Sequence, residues 1–314
     1  MMGTKLERMI VIFISVVLVA PVSCGKSGVN DNSALLVPFN IDRNRVIIPT
    51  SVNGSRELNL ILDTGMAFDG VYLFHEEFVD EIDTSGAIEV RVPGAGDGEA
   101  STAVMIETGR IAFGDVTIDS QKVIISRSPH TQNFPTDGVI GWNLFGHYAV
   151  EIDYDKEIIT LHDSLGLGDD DSWSVIPIEL KKGIPFLECE VEVVKDERVL
   201  MIFYIDLASG DALELLTGPD QKFTMPDSLM DQYLGTGLSG DIHGQSGKSV
   251  AVRISMYELR NITTAFAPAE VRSKQEGADG ILGNDLIRRF NVIFDYSNAR
   301  LYLKPNGFYE TPFE

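Results

Sequence analysis

Apolar residues along this chain fall in short runs rich in Val, Ile and Leu, separated by Gly, Asn, Asp and Pro. Few segments show the three-and-four spacing of an amphipathic helix, so strands are expected to dominate. In the first half strands are predicted over 46–49, 58–62, 87–92, 123–125 and 149–161. In the second half they are predicted over 186–194, 199–205, 249–254 and 291–303. Asp155-Lys156 and Ser297-Asn298 read as matching hairpin turns near the end of each half. Short helices are predicted over 143–147 and 285–290, with 227–234 a weaker candidate.

The pattern occurs twice. Asp137-Gly138-Val139-Ile140-Gly141 matches Asp279-Gly280-Ile281-Leu282-Gly283. Leu144 then pairs with Leu286, Val150 with Val292, Asp153-Tyr154 with Asp295-Tyr296, and Leu161 with Leu303, each 142 positions apart (137 to 279). Solenoid repeats are far shorter, roughly 20–50 residues, so this is a duplicated domain. The expected architecture is all-β, two similar barrel lobes produced by internal duplication. The expected organisation is a leader over 1–24, a tether over 25–34, lobes over 35–163 and 175–305, a linker over 164–174, and a tail over 306–314.

Charge removes several partners. The 314 residues carry a formal net charge of −22, which argues against nucleic acid and against an anionic membrane face. The N-terminus has a basic start at Lys5 and Arg8, and then an apolar run over 9–20, the length of a secretory h-region. Cys24 follows Pro21-Val22-Ser23, which fits a lipobox at two positions and departs from it at Pro21. An exported envelope protein with lipid on Cys24 is expected, ordinary cleavage being the alternative. The second cysteine, Cys189, lies in an apolar stretch and reads as a small buried thiol. The five histidines are scattered without ligand spacing, and the aspartates at 169–171 read as a solvated run, so no metal or other cofactor is expected.

The candidate chemistry sits at two corresponding points. Asp63-Thr64-Gly65 follows the apolar run Leu60-Ile61-Leu62. Asp206-Leu207-Ala208-Ser209 follows Tyr204-Ile205, and the two aspartates are 143 positions apart (63 to 206). A D-T-G tripeptide alone is a weak signal. A carboxylate on a tight turn after a strand, present in both halves, is what a two-carboxylate acid/base device requires. Gly65 would let the turn bring amides toward the carboxylate, Thr64 would reach across to the other half, and Gly141 and Gly283 would close the supporting motif.

These residues carry a resemblance. The segment 281–296, Ile-Leu-Gly-Asn-Asp-Leu-Ile-Arg-Arg-Phe-Asn-Val-Ile-Phe-Asp-Tyr, resembles the C-terminal part of pepsins. The chain is similar over residues 35–305 to the retropepsin/pepsin-like aspartic peptidases, and its length and start look like bacterial retropepsin-like lipoproteins. The resemblance implies a cleft between two lobes, Asp63 and Asp206 as catalytic dyad, and peptide or protein as substrate. It also implies a flap, for which the glycine-rich stretch with Gly94, Gly96 and Gly98 is the candidate, and a monomer is expected because one chain supplies both carboxylates. The second motif departs from the family's. Leu207 stands where a hydroxyl is expected and Ala208 where glycine is, leaving either compensation by Ser209 or a turn shifted by one residue. The rival expectation is an inactive relative that binds peptides or an envelope partner.

Overall fold

Among the described residues the apolar runs expected as strands pair as strands, and many are apolar on both faces because both faces are covered. Val46 and Ile48 point into the main core, whereas Ile47 between them packs into a second cluster with Ile61, Tyr72 and Val139. Strands buried on both sides read as continuous hydrophobic runs rather than as alternation. The computed structural model describes residues 34–66, 68–92, 100–166, 170–272 and 277–313. The candidate flap glycines Gly94, Gly96 and Gly98, and Cys24, lie outside the described residues.

The first half contains β1 (Leu35–Pro38), β2 (Asn40–Asp42), β3 (Arg45–Val52), β4 (Leu58–Leu62), β5 (Gly70–Leu73), β6 (Ile88–Val92), β7 (Ser101–Phe113), β8 (Val116–Ser126), β9 (Gly138–Ile140), β10 (Ala149–Asp153) and β11 (Ile158–His162). The second contains β12 (Ser174–Pro177), β13 (Glu179–Lys181), β14 (Ile184–Glu192), β15 (Arg198–Asp206), β16 (Leu213–Thr217), β17 (Met230–Gly237), β18 (Gly240–Ile254), β19 (Tyr257–Pro268), β20 (Gly280–Gly283), β21 (Phe290–Asp295) and β22 (Arg300–Pro305). Three single-turn helices, α1 (Phe78–Glu81), α2 (Trp142–Phe145) and α3 (Asn284–Ile287), complete the regular elements used below.

The two halves have one topology. In the first, β3-β4-β9-β5-β8-β7 form a ring closed by β3 against β7. In the second, β14-β15-β20-β16-β19-β18 form a ring closed by β14 against β18. The chain is therefore two closed six-stranded barrels. A six-stranded sheet in the order β1-β11-β10-β21-β22-β12 joins them, its central pair being β10 with β21, one strand from each half.

The register locates the one-residue offset of the repeat. Val71 faces Ile140 and Leu213 faces Leu282, so the strand after each aspartate already obeys the 142-residue spacing (71 to 213). The extra residue of the first half therefore lies between Asp63 and Val71, in the turn that carries the candidate carboxylate.

The motif Asp-Gly-apolar-apolar-Gly is explained by the same pairing. Asp137 and Asp279 do more than occupy turns. Asp137 accepts the Asn59 N–H at 2.7 Å and donates its own N–H to Asn59 O at 3.0 Å. Asp279 does the same with Ile202, at 2.8 and 2.7 Å. Each aspartate thus staples the strand leading to a candidate carboxylate. The glycine after each staple is required by proximity, since a Cβ there would stand 2.3 Å from Tyr72 O at Gly138 and 2.1 Å from Glu214 O at Gly280.

One expectation changes. Residues 227–234, a weak helix candidate, mostly enter β17, because a hairpin with β18 pairs the backbone from Met230 to Gly237 and the glycines at its tip permit the turn. Residues 306–313, which follow the second lobe, are docked on it. Arg289 is almost completely buried and donates to Phe308 O, Thr311 O and Pro312 O at 3.0, 2.8 and 3.1 Å. Its guanidinium also lies 4.3 Å from the Phe313 ring. Cys189 is buried in the core and its thiol pKa is pushed up by burial, as a structural thiol should be.

Replacing Arg289 by Leu strands the carbonyls of Asp285, Phe308, Thr311 and Pro312 at once. The expected cost is about 3 kcal/mol in a denaturant melt, with earlier proteolytic cutting in residues 306–313 than in the native chain.

Candidate active site

Both candidate carboxylates leave the end of a barrel strand over the neighbouring strand of the motif. The Asp63 N–H donates to Ile140 O at 2.9 Å, and Asp206 is in register with Gly283 on parallel β15 and β20. Here two further glycines are needed. A Cβ on Gly141 would stand 2.1 Å from Asp63 O, and one on Gly283 would stand 2.2 Å from Asp211 O. Gly141 and Gly283 are therefore the places where each supporting strand passes under a carboxylate turn.

Within each turn the carboxylate is held by its own backbone. Asp63 Oδ1 accepts the Gly65 N–H at 2.7 Å. Asp206 Oδ1 accepts the Ala208 N–H at 2.9 Å and the Ser209 N–H at 3.2 Å. The second turn is thus not shifted. Ala208 occupies the place of Gly65 with normal backbone geometry, since neither residue adopts a positive φ. Ser209 helps through its backbone, its N–H on Asp206 and its carbonyl accepting the Asn284 N–H at 2.8 Å. It does not stand in for the hydroxyl that Leu207 lacks.

The two turns meet. A methyl group built on Gly65 would lie 3.1 Å from Asp63 Oδ1 and 3.9 Å from Asp206 Oδ1, so both carboxylates flank one small space. Thr64 crosses between the halves, donating to Ile205 O at 2.7 Å and accepting the Leu207 N–H at 3.1 Å. The return crossing is missing because Leu207 is aliphatic, its side chain fully buried in the core.

Proximity has an electrostatic consequence. The Asp63 carboxyl is partly exposed at its surface but backed by protein, and its pKa is pushed up to about 8, first by burial and then by the Asp206 charge. The Gly65 and Met66 N–H groups oppose this shift but do not cancel it. Such a proton belongs to the pair.

Contacts between the two halves supply what sequence reasoning missed. Arg45 Nε donates to Ala208 O at 2.6 Å and Asn44 Nδ2 donates to Gly210 O at 3.1 Å, so the β2–β3 turn of the first half grips the second carboxylate turn. No local sequence pattern marks Arg45 or Asn44; in the structure Arg43 and Asn44 form a two-residue hairpin turn with positive φ at both. The β17–β18 hairpin also reaches the first half. Ser101 Oγ donates to Leu238 O at 2.5 Å, and Leu238 and Ala208 both pack against the apolar cluster of Met66, Tyr72, Phe74 and Ile124. That cluster lies beside the Asp63 turn and gives the site an apolar flank. Among the described residues no group of three or more His, Cys, Asp or Glu side chains is placed to hold a metal ion, and no helix is long and apolar enough to cross a membrane.

Comparison with known proteins agrees with the architecture. No protein-family model matches the chain, and no curated protein matches it in sequence. Among solved structures it is similar to an aspartic proteinase from Irpex lacteus, at 14% identity and a TM-score of 0.57, over 89% of this chain and 99% of that one. The fold is that of the pepsin-like aspartic proteinases, two barrel lobes in one chain. The likeness to bacterial retropepsin-like lipoproteins has no such support from sequence families.

The Asp63 shift gives a signed stability test. The unfolded carboxyl ionises near its usual 3.8 and the folded one near 8, so between these values folding takes up a proton and stability falls as pH rises. Asp63→Asn should flatten that fall, by at most about 1.4 kcal/mol per pH unit for one proton. Melting temperatures of the two proteins at pH 4 to 8 would show it.

Proposed function

We propose that the protein is an aspartic endopeptidase in which Asp63 and Asp206 share one proton and activate a water. The observation that carries the reading is the convergence of both carboxylates on one methyl-sized space, each anchored by the amides of its own turn. Two carboxylates so placed do not both ionise readily. The ionised member takes a proton from the water, which attacks the peptide carbonyl. The protonated member hydrogen-bonds the carbonyl oxygen and stabilises the charge that develops there. Proton transfer to the departing nitrogen completes the cleavage, and the shared proton is restored. The reaction uses no group beyond the two carboxylates and water.

The apolar cluster beside the dyad suits apolar substrate side chains, and Leu238 would cover part of it from the other half. The exported, lipid-anchored location expected from Cys24 accompanies this reading. If it holds, Cys24→Ala moves the protein from the membrane to the soluble fraction of expressing cells.

Leu207 favours one other reading, a peptide-binding protein that does not cut, because half of the cross-lobe hydroxyl pair is absent. Cleavage of a mixed peptide library by the chain from residue 25 onward decides between them. Asp63→Asn and Asp206→Asn are each expected to lower kcat by at least about 10³-fold. Native activity should decline as pH rises through about 8, where the shared proton is lost. Tight peptide binding without product at any pH would establish the binding reading.

A further inference from the structure

Three first-half side chains reach across to the backbone of the second carboxylate turn. Thr64 Oγ1, Arg45 Nε and Asn44 Nδ2 belong to the first half, and each contacts backbone of the second turn, at Ile205 and Leu207, at Ala208, and at Gly210. The approach is close enough that a Cβ on Gly210 would stand 2.5 Å from Arg43 O. Asn284 ties the same parts together, its Nδ2 donating to Asn44 O at 2.6 Å while its N–H donates to Ser209 O.

The corresponding turn of the second half cannot return these bonds. It lies between β13 and β14 as Lys182-Gly183, with the same pair of positive φ values, 51° and 84°, against 46° and 61° at Arg43 and Asn44. Gly183 replaces Asn44, and Ile184, the first residue of β14, replaces Arg45, the first residue of β3. Neither offers a side-chain donor. The half that lost its hydroxyl, at Leu207, is the half gripped by the extra donors.

We infer that Arg45, assisted by Asn44, is a positioning residue that substitutes for the missing hydroxyl crossing and holds the Asp206 turn against Asp63. Physically, the absent hydroxyl would have donated one bond and accepted one. A guanidinium on Ala208 O is a charge-assisted bond and offsets such a loss. Ala208 is also the residue whose N–H holds Asp206 Oδ1, so the clamp on its carbonyl fixes the orientation of a peptide adjoining the carboxylate's own anchor.

The kinetic readout rests on the endopeptidase reading; the titration readout does not. Arg45→Met is expected to lower kcat roughly tenfold with KM little changed. Adding Leu207→Thr, which restores a hydroxyl at the crossing, should recover most of the loss. Independently of turnover, carboxyl-carbon NMR titration of the aspartates should show the upper apparent pKa of the pair falling by about one unit in Arg45→Met, because a looser Asp206 turn weakens the repulsion on Asp63. Asn44→Gly, which suits the positive φ, provides a milder variant should Arg45→Met fail to fold; it should shift titration and kcat the same way by less. A folded Arg45→Met, or a folded Asn44→Gly if only that folds, with unchanged titration overturns the inference, whether or not any peptide is cut. Failure of Leu207→Thr to rescue a slowed Arg45→Met overturns the substitution for the hydroxyl.

Discussion

Everything in this molecule depends on bringing two negative groups to one place from two separately folded barrels. That arrangement is intrinsically unfavourable, since burial and mutual repulsion both disfavour the second charge. It persists because the surroundings are over-determined. Each carboxylate is tied to amides within its own turn, each turn rests on a strand whose glycine allows contact, and each strand is stapled by an aspartate further back. The strain at the dyad is thus opposed by rigid neighbours on both sides rather than relieved by movement. The shared six-stranded sheet fixes the distance between the barrels, with β10 and β21 paired across the junction.

Duplication explains the plan, and divergence explains the chemistry at the junction. Tyr154 and Tyr296 occupy corresponding places after corresponding strands. Tyr154 donates to Asn284 Oδ1 at 2.6 Å, whereas Tyr296 meets Trp142, the counterpart of Asn284, ring to ring at 6.1 Å. The same asymmetry appears in the turns, where Thr64 corresponds to Leu207 and Arg45 to Ile184. In each pair the polar cross-lobe bond that survives reaches second-half backbone or second-half Asn284. The second half therefore presents its carboxylate on backbone that the first half holds.

How much of this was legible before the structure can be judged residue by residue. Asp63, Asp206 and the two copies of the Asp-Gly-apolar-apolar-Gly motif were visible because identical local geometry demands identical residues, and glycine at a close approach admits no replacement. The barrels followed from strand-length apolar runs repeated at one spacing. The stapling role of Asp137 and Asp279 was not visible, since an aspartate before glycine reads as a turn. Arg45 was invisible for a different reason. Its partner is a backbone carbonyl 163 residues away, and a carbonyl leaves no mark on the sequence. The Ser101–Leu238 contact was hidden in the same way.

Ala208 and Leu207 can now be weighed separately, although they sit side by side in the altered motif. Glycine in the first turn is not there for a special backbone angle, so alanine in the second costs only the volume of a methyl, and that methyl contacts the apolar cluster of the other half. Leu207 is a real loss, because a hydroxyl that donates and accepts cannot be mimicked by a side chain with neither capacity. Yet Leu207 leaves no buried amide stranded. Its N–H is taken by Thr64, and its side chain adds apolar burial at the junction. What disappears is therefore restraint rather than satisfaction of polar groups. Restraint can be supplied from any direction, and the β2–β3 turn supplies it from the first half.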